Sequence, residues 1–293
     1  MKDIIVFLNG ERGINVVRKL KIFGHEILKC IIPINKKYDY VQREIKSIKV
    51  ECFRIKDVNK KNIIKRLKKL NPKLFLVAGY STILKNEVIK IPTKGTLNLH
   101  AGRLPYYRGG SPLNWQLING EKKATISLIK INQKIDAGEI LQERDILINK
   151  FTDINDLHSQ ANKLFPELVN SVIDKIENTK GRIQNEKKAV YWHQRNDDDG
   201  YIDFKKIDTL QVSRIVRALT KPYPSAWANL KKKRVRIFKI EIPKFDLRGT
   251  PGRILFIQKQ GPYVICRDRA ILIKDYKIES DRHMKLKHGQ FLK

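Results

Sequence analysis

Asn98 and His100 flank Leu99 at the end of an apolar stretch, and strand alternation puts both side chains on one face. An amide beside an imidazole can donate hydrogen bonds to one oxygen, the need of a tetrahedral intermediate in acyl transfer. A constrained loop follows, Ala101-Gly102-Arg103-Leu104-Pro105-Tyr106-Tyr107-Arg108-Gly109-Gly110. That loop favours a working His100 over a core histidine satisfied by backbone. Asp136, in Lys134-Ile135-Asp136-Ala137-Gly138, lies between two expected strands, and spacing alone fits an ordinary turn aspartate as well. Asn9-Gly10-Glu11-Arg12-Gly13 closes the first strand but is neither GxGxxG nor a P-loop. Cys30, Cys52 and Cys266 are far apart, with no CxxC pair. That pattern predicts no metal site, no disulfide framework and a reducing cytoplasm.

These residues need a scaffold, and the first half of the chain alternates strands and helices. Ile4–Leu8, Ile27–Ile32, Leu74–Ala78 and Thr96–His100 read as buried strands. Helices lie between them, one with Ile14, Val17 and Leu20 and a stop at Gly24, another with Ile63, Ile64, Leu67 and Leu70 before Pro72. This alternation predicts a Rossmann-like α/β domain with a parallel sheet, in which ligands bind beyond the carboxyl ends of the strands. Ser111, Pro112 and Gly120 punctuate one further helix. Ala124–Ile131 and Glu139–Ile148 read as strands. A long helix carries Leu157, Ala161, Leu164, Leu168, Val172 and Ile176, with a kink expected at Pro166. Beyond Asp197-Asp198-Asp199-Gly200 come one helix and five short strands: Ala226–Leu230, Val235–Ile242, Arg253–Gln258, Tyr263–Cys266 and Ala270–Ile278. They predict a small OB-like β-barrel, so the expected domains are residues 1–195 and 196–293.

The 293 residues carry 61 Lys+Arg against 30 Asp+Glu, a net charge of +31 that raises nucleic-acid binding as a reading. Residues 204–293 hold 23 basic and 7 acidic residues, so +16 of that total. The chain also holds 40 Ile against 10 Ala and 42 Lys against 19 Arg, the bias of an AT-rich genome. Part of the charge is therefore background on solvated faces. No apolar run approaches the roughly 18–20 residues of a membrane span, and the first residues lack a signal peptide's pattern.

The ordered set Asn98-Leu99-His100, Arg108-Gly109-Gly110-Ser111-Pro112-Leu113-Asn114-Trp115, Ile118-Asn119-Gly120-Glu121 and Asp136-Ala137-Gly138-Glu139-Ile140-Leu141 resembles the folate-dependent formyltransferases. The resemblance covers most of the chain. It implies transfer of a formyl group from N10-formyltetrahydrofolate to an amine, without a metal. It maps that family's catalytic Asn, His and Asp onto Asn98, His100 and Asp136. Asn98 and His100 would stabilise the oxyanion, and either His100 or Asp136 would serve as base. It also implies that the folate lies beside Gly79-Tyr80-Ser81-Thr82-Ile83-Leu84 and near Asn132, largely against backbone groups.

Two branches of that family differ in the amine. The methionyl-tRNA enzymes usually carry Gly-Thr-Pro-x-Phe-Ala after the first strand, a Gly- and Lys-rich loop after the second and Ser-Leu-Leu-Pro after the His. Here stand Asn9-Gly10-Glu11-Arg12-Gly13, Pro33-Ile34-Asn35-Lys36-Lys37-Tyr38 and Gly102-Arg103-Leu104-Pro105. Arg108–Trp115 and Gln194–Phe204 look closer to the enzymes that formylate amino-arabinose on a nucleotide. The expected acceptor is therefore a nucleotide-linked amino sugar, with initiator tRNA as the alternative and a homodimer as a further expectation. A non-catalytic RNA-binding scaffold and hydrolysis of formylfolate are weaker readings. Arg12, Arg103 and Arg108 are candidate acceptor contacts, the last two to a diphosphate or else as loop-shaping ion pairs. Tyr223 and Trp227, in Lys221-Pro222-Tyr223-Pro224-Ser225-Ala226-Trp227, stack on a nucleobase or pack between domains. Lys231-Lys232-Lys233-Arg234-Val235-Arg236 reads as a phosphate-tracking cluster or a solvated hairpin tip.

Overall fold

The computed structural model describes residues 1–257, 260–279 and 283–293. The chain forms two compact units. One comprises Met1–Pro112, Ala124–Ile146 and His158–Trp192, the other Leu113–Lys123, Leu147–Leu157 and His193–Lys293. The chain thus crosses between units several times.

The first unit runs β1 (Ile4–Leu8), α1 (Glu11–Ile22), β2 (Ile27–Pro33), α2 (Asp39–Ser47), β3 (Cys52–Ile55), α3 (Lys61–Lys69), β4 (Leu74–Ala78), α4 (Asn86–Ile89) and β5 (Thr96–His100). It continues through β6 (Arg108–Gly109), α5 (Pro112–Ile118), β7 (Lys123–Lys130), β8 (Ile140–Leu147), α6 (Ile154–Ile173) and β9 (Tyr191–Trp192), of which α5 and the start of α6 lie largely in the other unit. Seven strands make one sheet in the order β3-β2-β1-β4-β5-β7-β8. Every residue of β1 and β4 is buried, as strands covered on both faces require. β3 and α2 escaped the sequence pattern because Arg54 interrupts the short apolar run of β3. The sheet is mainly parallel, as expected, and β7 joins it antiparallel to β5. α6 is continuous through Pro166 and ends at Ile173, and Ile176 is buried beyond its end.

Register fixes where the chemistry sits. Phe7 pairs with Val77, and Val77 with Asn98. Asn9, Gly79 and His100 therefore emerge together at the carboxyl edge of β1, β4 and β5. α1 starts at the same edge, and Gly13 lies so close to Leu8 and the Ala78 carbonyl that a Cβ would clash.

The second unit contains α7 (Thr209–Leu219), β10 (Ala226–Leu230), β11 (Lys233–Glu241), β12 (Ile254–Phe256), β13 (Pro262–Ile265) and β14 (Ala270–Ile278). Asp208 and Gln211 form a capping box at the start of α7. The strands form an antiparallel sheet in the order β10-β11-β14-β13-β12. The chain's last residues bridge its two edges. Leu292 N–H donates to Gly252 O beside β12, and Lys293 N–H donates to Asn229 O of β10, at 2.9 and 2.8 Å. The tail thus satisfies edge groups that would otherwise stay open. Gln258, expected as a strand end, and Lys259 of the following turn lie outside the described residues.

The basic cluster divides. Lys231 and Lys232 form an exposed two-residue hairpin turn. Arg234 and Arg236 face Asp197 instead, with Arg234 Nη1 and Arg236 Nη2 at 2.6 and 2.7 Å from its Oδ2. The hydrogen bond from Arg236, then the charges of both arginines, hold the Asp197 carboxyl below the usual range. A carboxyl depressed in the folded state adds stability that is present above its unfolded pKa and is lost as pH falls through the folded value. Asp197→Asn is therefore expected to lower stability by about 1–2 kcal/mol at neutral pH. The deficit should shrink in denaturant titrations repeated from pH 5 downward. An unchanged gap between the two proteins across that range would contradict this account.

Candidate active site

Thr96–His100 forms β5 as expected, and Asn98 and His100 share a face with Ser127 and Ile129 of β7, their register partners. The turn between β7 and β8 brings Asp136 to them. Asn98 Nδ2 lies 3.4 Å from Asp136 Oδ1, and His100 Nδ1 lies 3.5 Å from Asp136 Oδ2. The side chains of His100 and Asp136 are 5% and 13% exposed, so the contact is shielded from water.

His100 Nε2 is 2.6 Å from the Tyr107 carbonyl oxygen, which only accepts, so Nε2 carries hydrogen. Nδ1 is the nitrogen left facing Asp136, and both ring nitrogens address protein atoms. Gly102 makes this possible, because a Cβ there would stand 2.6 Å from both His100 Nε2 and the Tyr107 oxygen. Asn98 has a second amide hydrogen beyond the one turned to Asp136.

Asp136 is held from three sides. Its backbone is left-handed, φ 50°, a conformation aspartate tolerates better than most residues. Gly109 N–H donates to Oδ2 at 2.9 Å. Gln184 Nε2 donates to the carbonyls of Asp136 and Gly138 at 2.8 and 2.7 Å. A Cβ on Gly138 would clash with the Lys130 carbonyl, so the tight turn requires glycine.

Arg108 lies behind this turn and is 0% exposed. Its Nε and Nη2 donate to Gln184 Oε1 at 3.1 and 2.9 Å. Its Nη2 and Nη1 also reach Glu186 Oε1 at 2.7 Å and Tyr191 Oη at 2.9 Å. Burial lowers the guanidinium pKa, but the bonds to Glu186 and Tyr191 outweigh it and hold the value above the ordinary one. The Arg108 bond in turn holds the Glu186 carboxyl below its usual range. This corrects the expectation of Arg108 as a diphosphate contact, since its donors are spent inside the protein and the loop-shaping ion pair is what the structure contains. β6 and β9 pair in parallel over the same segment, and Tyr107 stacks on Trp192 with ring centroids 5.6 Å apart.

The segment expected to hold folate follows β4. Gly79 has φ 80°, Leu84 is buried in the core, and Ile83 is 70% exposed. Asn59 grips this backbone, donating to Ile83 O at 3.1 Å and accepting from Lys85 N–H at 2.8 Å. Tyr80 meets Phe7 edge-on, and burial raises its phenol pKa, opposed by a hydrogen bond with Thr82. Ser81 is exposed and Thr82 half-buried. Asn132 closes the turn before Asp136, donating to Ala137 O at 3.1 Å and accepting from Lys134 N–H. Ser81 and Ile83 leave exposed surface here that a planar heterocycle can meet.

The remaining expected contacts disperse. Arg12 stands in α1 with its guanidinium 4.8 Å from the Phe165 ring centre. Burial and then the Arg12 charge push His158 down to about 4, so that imidazole is neutral at pH 7. Arg103 lies over Tyr106, 5.2 Å from its ring centre. Tyr223 and Trp227 belong to the second unit. Tyr223 is half-exposed in the loop before β10. Trp227 is corrected as a nucleobase platform: it is 7% exposed, Arg234 covers its ring at 4.1 Å, and Tyr201 packs on it at 4.9 Å. The sequence reading missed Gly102, the Tyr107 carbonyl, the Gly109 N–H and Gln184. The Gly-rich loop signalled the first three. Gln184 stands 48 residues from Asp136 in an irregular stretch with no pattern.

Among the described residues no helix is long and apolar enough to cross a membrane, and no cluster of three His, Cys, Asp or Glu side chains could hold a metal ion. Residues 5–173 match the family model described as formyl transferase, and residues 195–290 match its C-terminal domain. The chain is 33% identical over 285 residues to the bifunctional polymyxin resistance protein ArnA of Wigglesworthia glossinidia brevipalpis, covering 92% of this chain but 42% of that relative. It is 31% identical over 280 residues to the methionyl-tRNA formyltransferase of Thermodesulfovibrio yellowstonii, covering 92% and 88%. The crystal structure of WlaRD, a sugar 3N-formyltransferase solved with dTDP and 5-N-formyl-THF, shares the fold. Its TM-score is 0.68 at 15% identity, covering 96% of this chain and 99% of that one.

Proposed function

The chain belongs to the formyl transferase family over both halves of its length, and on that premise we propose that it moves the formyl group of N10-formyltetrahydrofolate to the amine of a nucleotide-linked amino sugar in the cytoplasm. The formyl transferase match and the sugar enzyme solved with 5-N-formyl-THF support the folate donor, and the acceptor is argued from this chain's own features.

The reaction needs an uncharged amine, an oxyanion donor and a proton acceptor. The amine nitrogen attacks the formyl carbon, and the carbonyl oxygen becomes an oxyanion. Asn98 Nδ2 offers that oxygen its second hydrogen. The proton leaving the new ammonium goes to the Nδ1–Asp136 side, because Nε2 already donates to Tyr107. The resulting imidazolium would keep both hydrogen bonds, one to a carbonyl and one to a carboxylate. Collapse then breaks the carbon–N10 bond, and N10 takes a proton as tetrahydrofolate leaves. The folate fits the Gly79–Leu84 and Asn132 backbone, beside Asn98.

One observation carries the choice of a small acceptor. The link from β2 to α2 is a short tied turn, residues 34–38, containing a single 3-10 turn at Lys36–Tyr38. Arg54 pins it, donating to Asn35 O at 2.8 Å and Asp39 Oδ1 at 2.5 Å. A pinned turn of this length is no arm for gripping a nucleic-acid stem. The 285-residue match to ArnA and the full-length fold match to a sugar enzyme support the same reading. The free, mostly buried thiols of Cys30, Cys52 and Cys266 suit a reducing compartment. The test offers N10-formyltetrahydrofolate with UDP- and dTDP-linked amino sugars, beside charged initiator tRNA. Turnover of at least one amino sugar with the tRNA inert is the expected result. Efficient formylation of the tRNA alone would replace this acceptor.

A further inference from the structure

A groove of about 590 Å³ opens on the first unit, lined among others by Arg103, Tyr106, Arg144, Arg182, Ile183 and Lys188. Its size falls among small-molecule sites of roughly 300–1,000 Å³. None of the expected folate residues lines it, and neither does any of Asn98, His100 and Asp136.

Its chemistry departs from the background of the chain. Lysine outnumbers arginine 42 to 19 overall, yet three of these four cations are arginines. Arginine is the residue that recognises phosphate in bidentate fashion. Two carboxylates line the groove as well, and both are engaged: Glu143 pairs with Arg182 at 2.5 Å, and Asp145 accepts from Thr125 Oγ1 at 2.8 Å. Arg144 and Lys188 are exposed at the rim. Apolar surface is exposed beside the charges, with Ile183 80% and Tyr106 38% exposed. An exposed isoleucine and tyrosine beside a cationic rim suit a ligand that joins a planar ring to a phosphate chain.

The groove also stands behind the catalytic turn. Residues 183–186 alternate: Ile183 and Asn185 line the groove, while Gln184 and Glu186 bind Arg108. Arg103 to Tyr106 form another wall, and the next two residues hold His100 and Gln184 through the Tyr107 carbonyl and Arg108. The groove is therefore walled by the outer sides of the two segments whose inner sides position His100 and Asp136.

The geometry points to a second binding site, taking the nucleoside diphosphate moiety of a ligand, on the reverse side of the catalytic loop. The ring lies against Tyr106 and Ile183, and the phosphates meet Arg103, Arg144 and Lys188, beside the Arg182–Glu143 pair. Two sources share this chemistry, a free nucleotide and the nucleotide end of the acceptor.

Titration calorimetry with UDP, and with pyrophosphate as the ring-less probe, tests the site on the full chain. UDP should bind more tightly than pyrophosphate. The Arg144→Ala/Lys188→Ala double variant removes two rim cations, so UDP affinity at this site should fall about 10- to 100-fold. Acceptor kinetics then separate the sources. A raised KM with unchanged kcat marks the groove as the seat of the acceptor's own nucleotide, and an unchanged KM marks a separate nucleotide. UDP binding of equal affinity and stoichiometry in both proteins, or no binding by either, overturns the proposal. Binding requires no formyl transfer, so failure here is distinct from failure of the reaction proposed above.

Discussion

His100→Ala and Asp136→Asn are each expected to lower kcat for formyl transfer by about 10²–10⁴, while tetrahydrofolate binding stays within a few-fold of the parent. The arrangement gives the reason. Asp136 faces both Asn98 and His100 Nδ1, so its carboxylate is the common partner of the amide and the imidazole. The Asp136→Asn variant would offer an amide where a proton acceptor is needed. Loss of His100 removes the nitrogen through which that proton moves. Asn98→Ala should cost about 10²–10³ by a different route, the loss of an oxyanion donor. Rapid-quench measurement of a single turnover isolates this step from folate release. Near-parental turnover in both His100→Ala and Asp136→Asn would overturn the site assignment.

Gln184→Ala is expected to lower kcat by about 10- to 100-fold, although Gln184 touches no reacting atom. Its amide binds the carbonyls on either side of the Asp136 turn, at 2.8 and 2.7 Å, and its oxygen takes two donors from buried Arg108. A misplacement near 1 Å can cost about 10²-fold when the group must meet a transition state. A positioning residue of this kind should change kcat and the pH profile of kcat while acceptor KM changes little. Removing it also leaves Arg108 short of an acceptor inside the protein, so folding needs a separate check. Glu186→Gln supplies that check, because its side chain is 52% exposed and the change preserves volume. It weakens the hold on Arg108 without opening a cavity and should give a smaller loss of kcat. If both variants fold with a parental melting temperature and kcat within twofold, the turn holds Asp136 without this support.

The two experiments separate what was legible in the sequence from what was not. Asn98, Leu99 and His100 were readable because alternation in a strand is local, and two residues apart means one face. The strand itself was readable from its apolar run. Gly102 and Gly109 were readable as a loop, but their purpose was not. Only the folded chain shows that one admits the imidazole and the other brings an N–H to Asp136. β7 was readable as a strand, whereas its antiparallel direction depends on a neighbour far along the chain.

The charged residues show the limit most plainly. Arg108 and Arg103 look alike in sequence, each an arginine in one loop. One is sealed inside the protein against Gln184 and Glu186, and the other lines an open groove. The same holds for Lys231-Lys232 and Arg234-Arg236, neighbours that separate into a solvated turn and an internal ion-pair network around Asp197. By itself the sequence determined most of the elements, though not β3 or α2, together with the strand-end pair and, through its ordered motifs, the family. The tertiary structure alone decided which charges are available to a ligand and what holds Asp136 in place. The reason is physical: periodicity and turn chemistry act over a few residues, while burial and hydrogen-bond partnership join residues such as 108, 136 and 184 that only folding brings together.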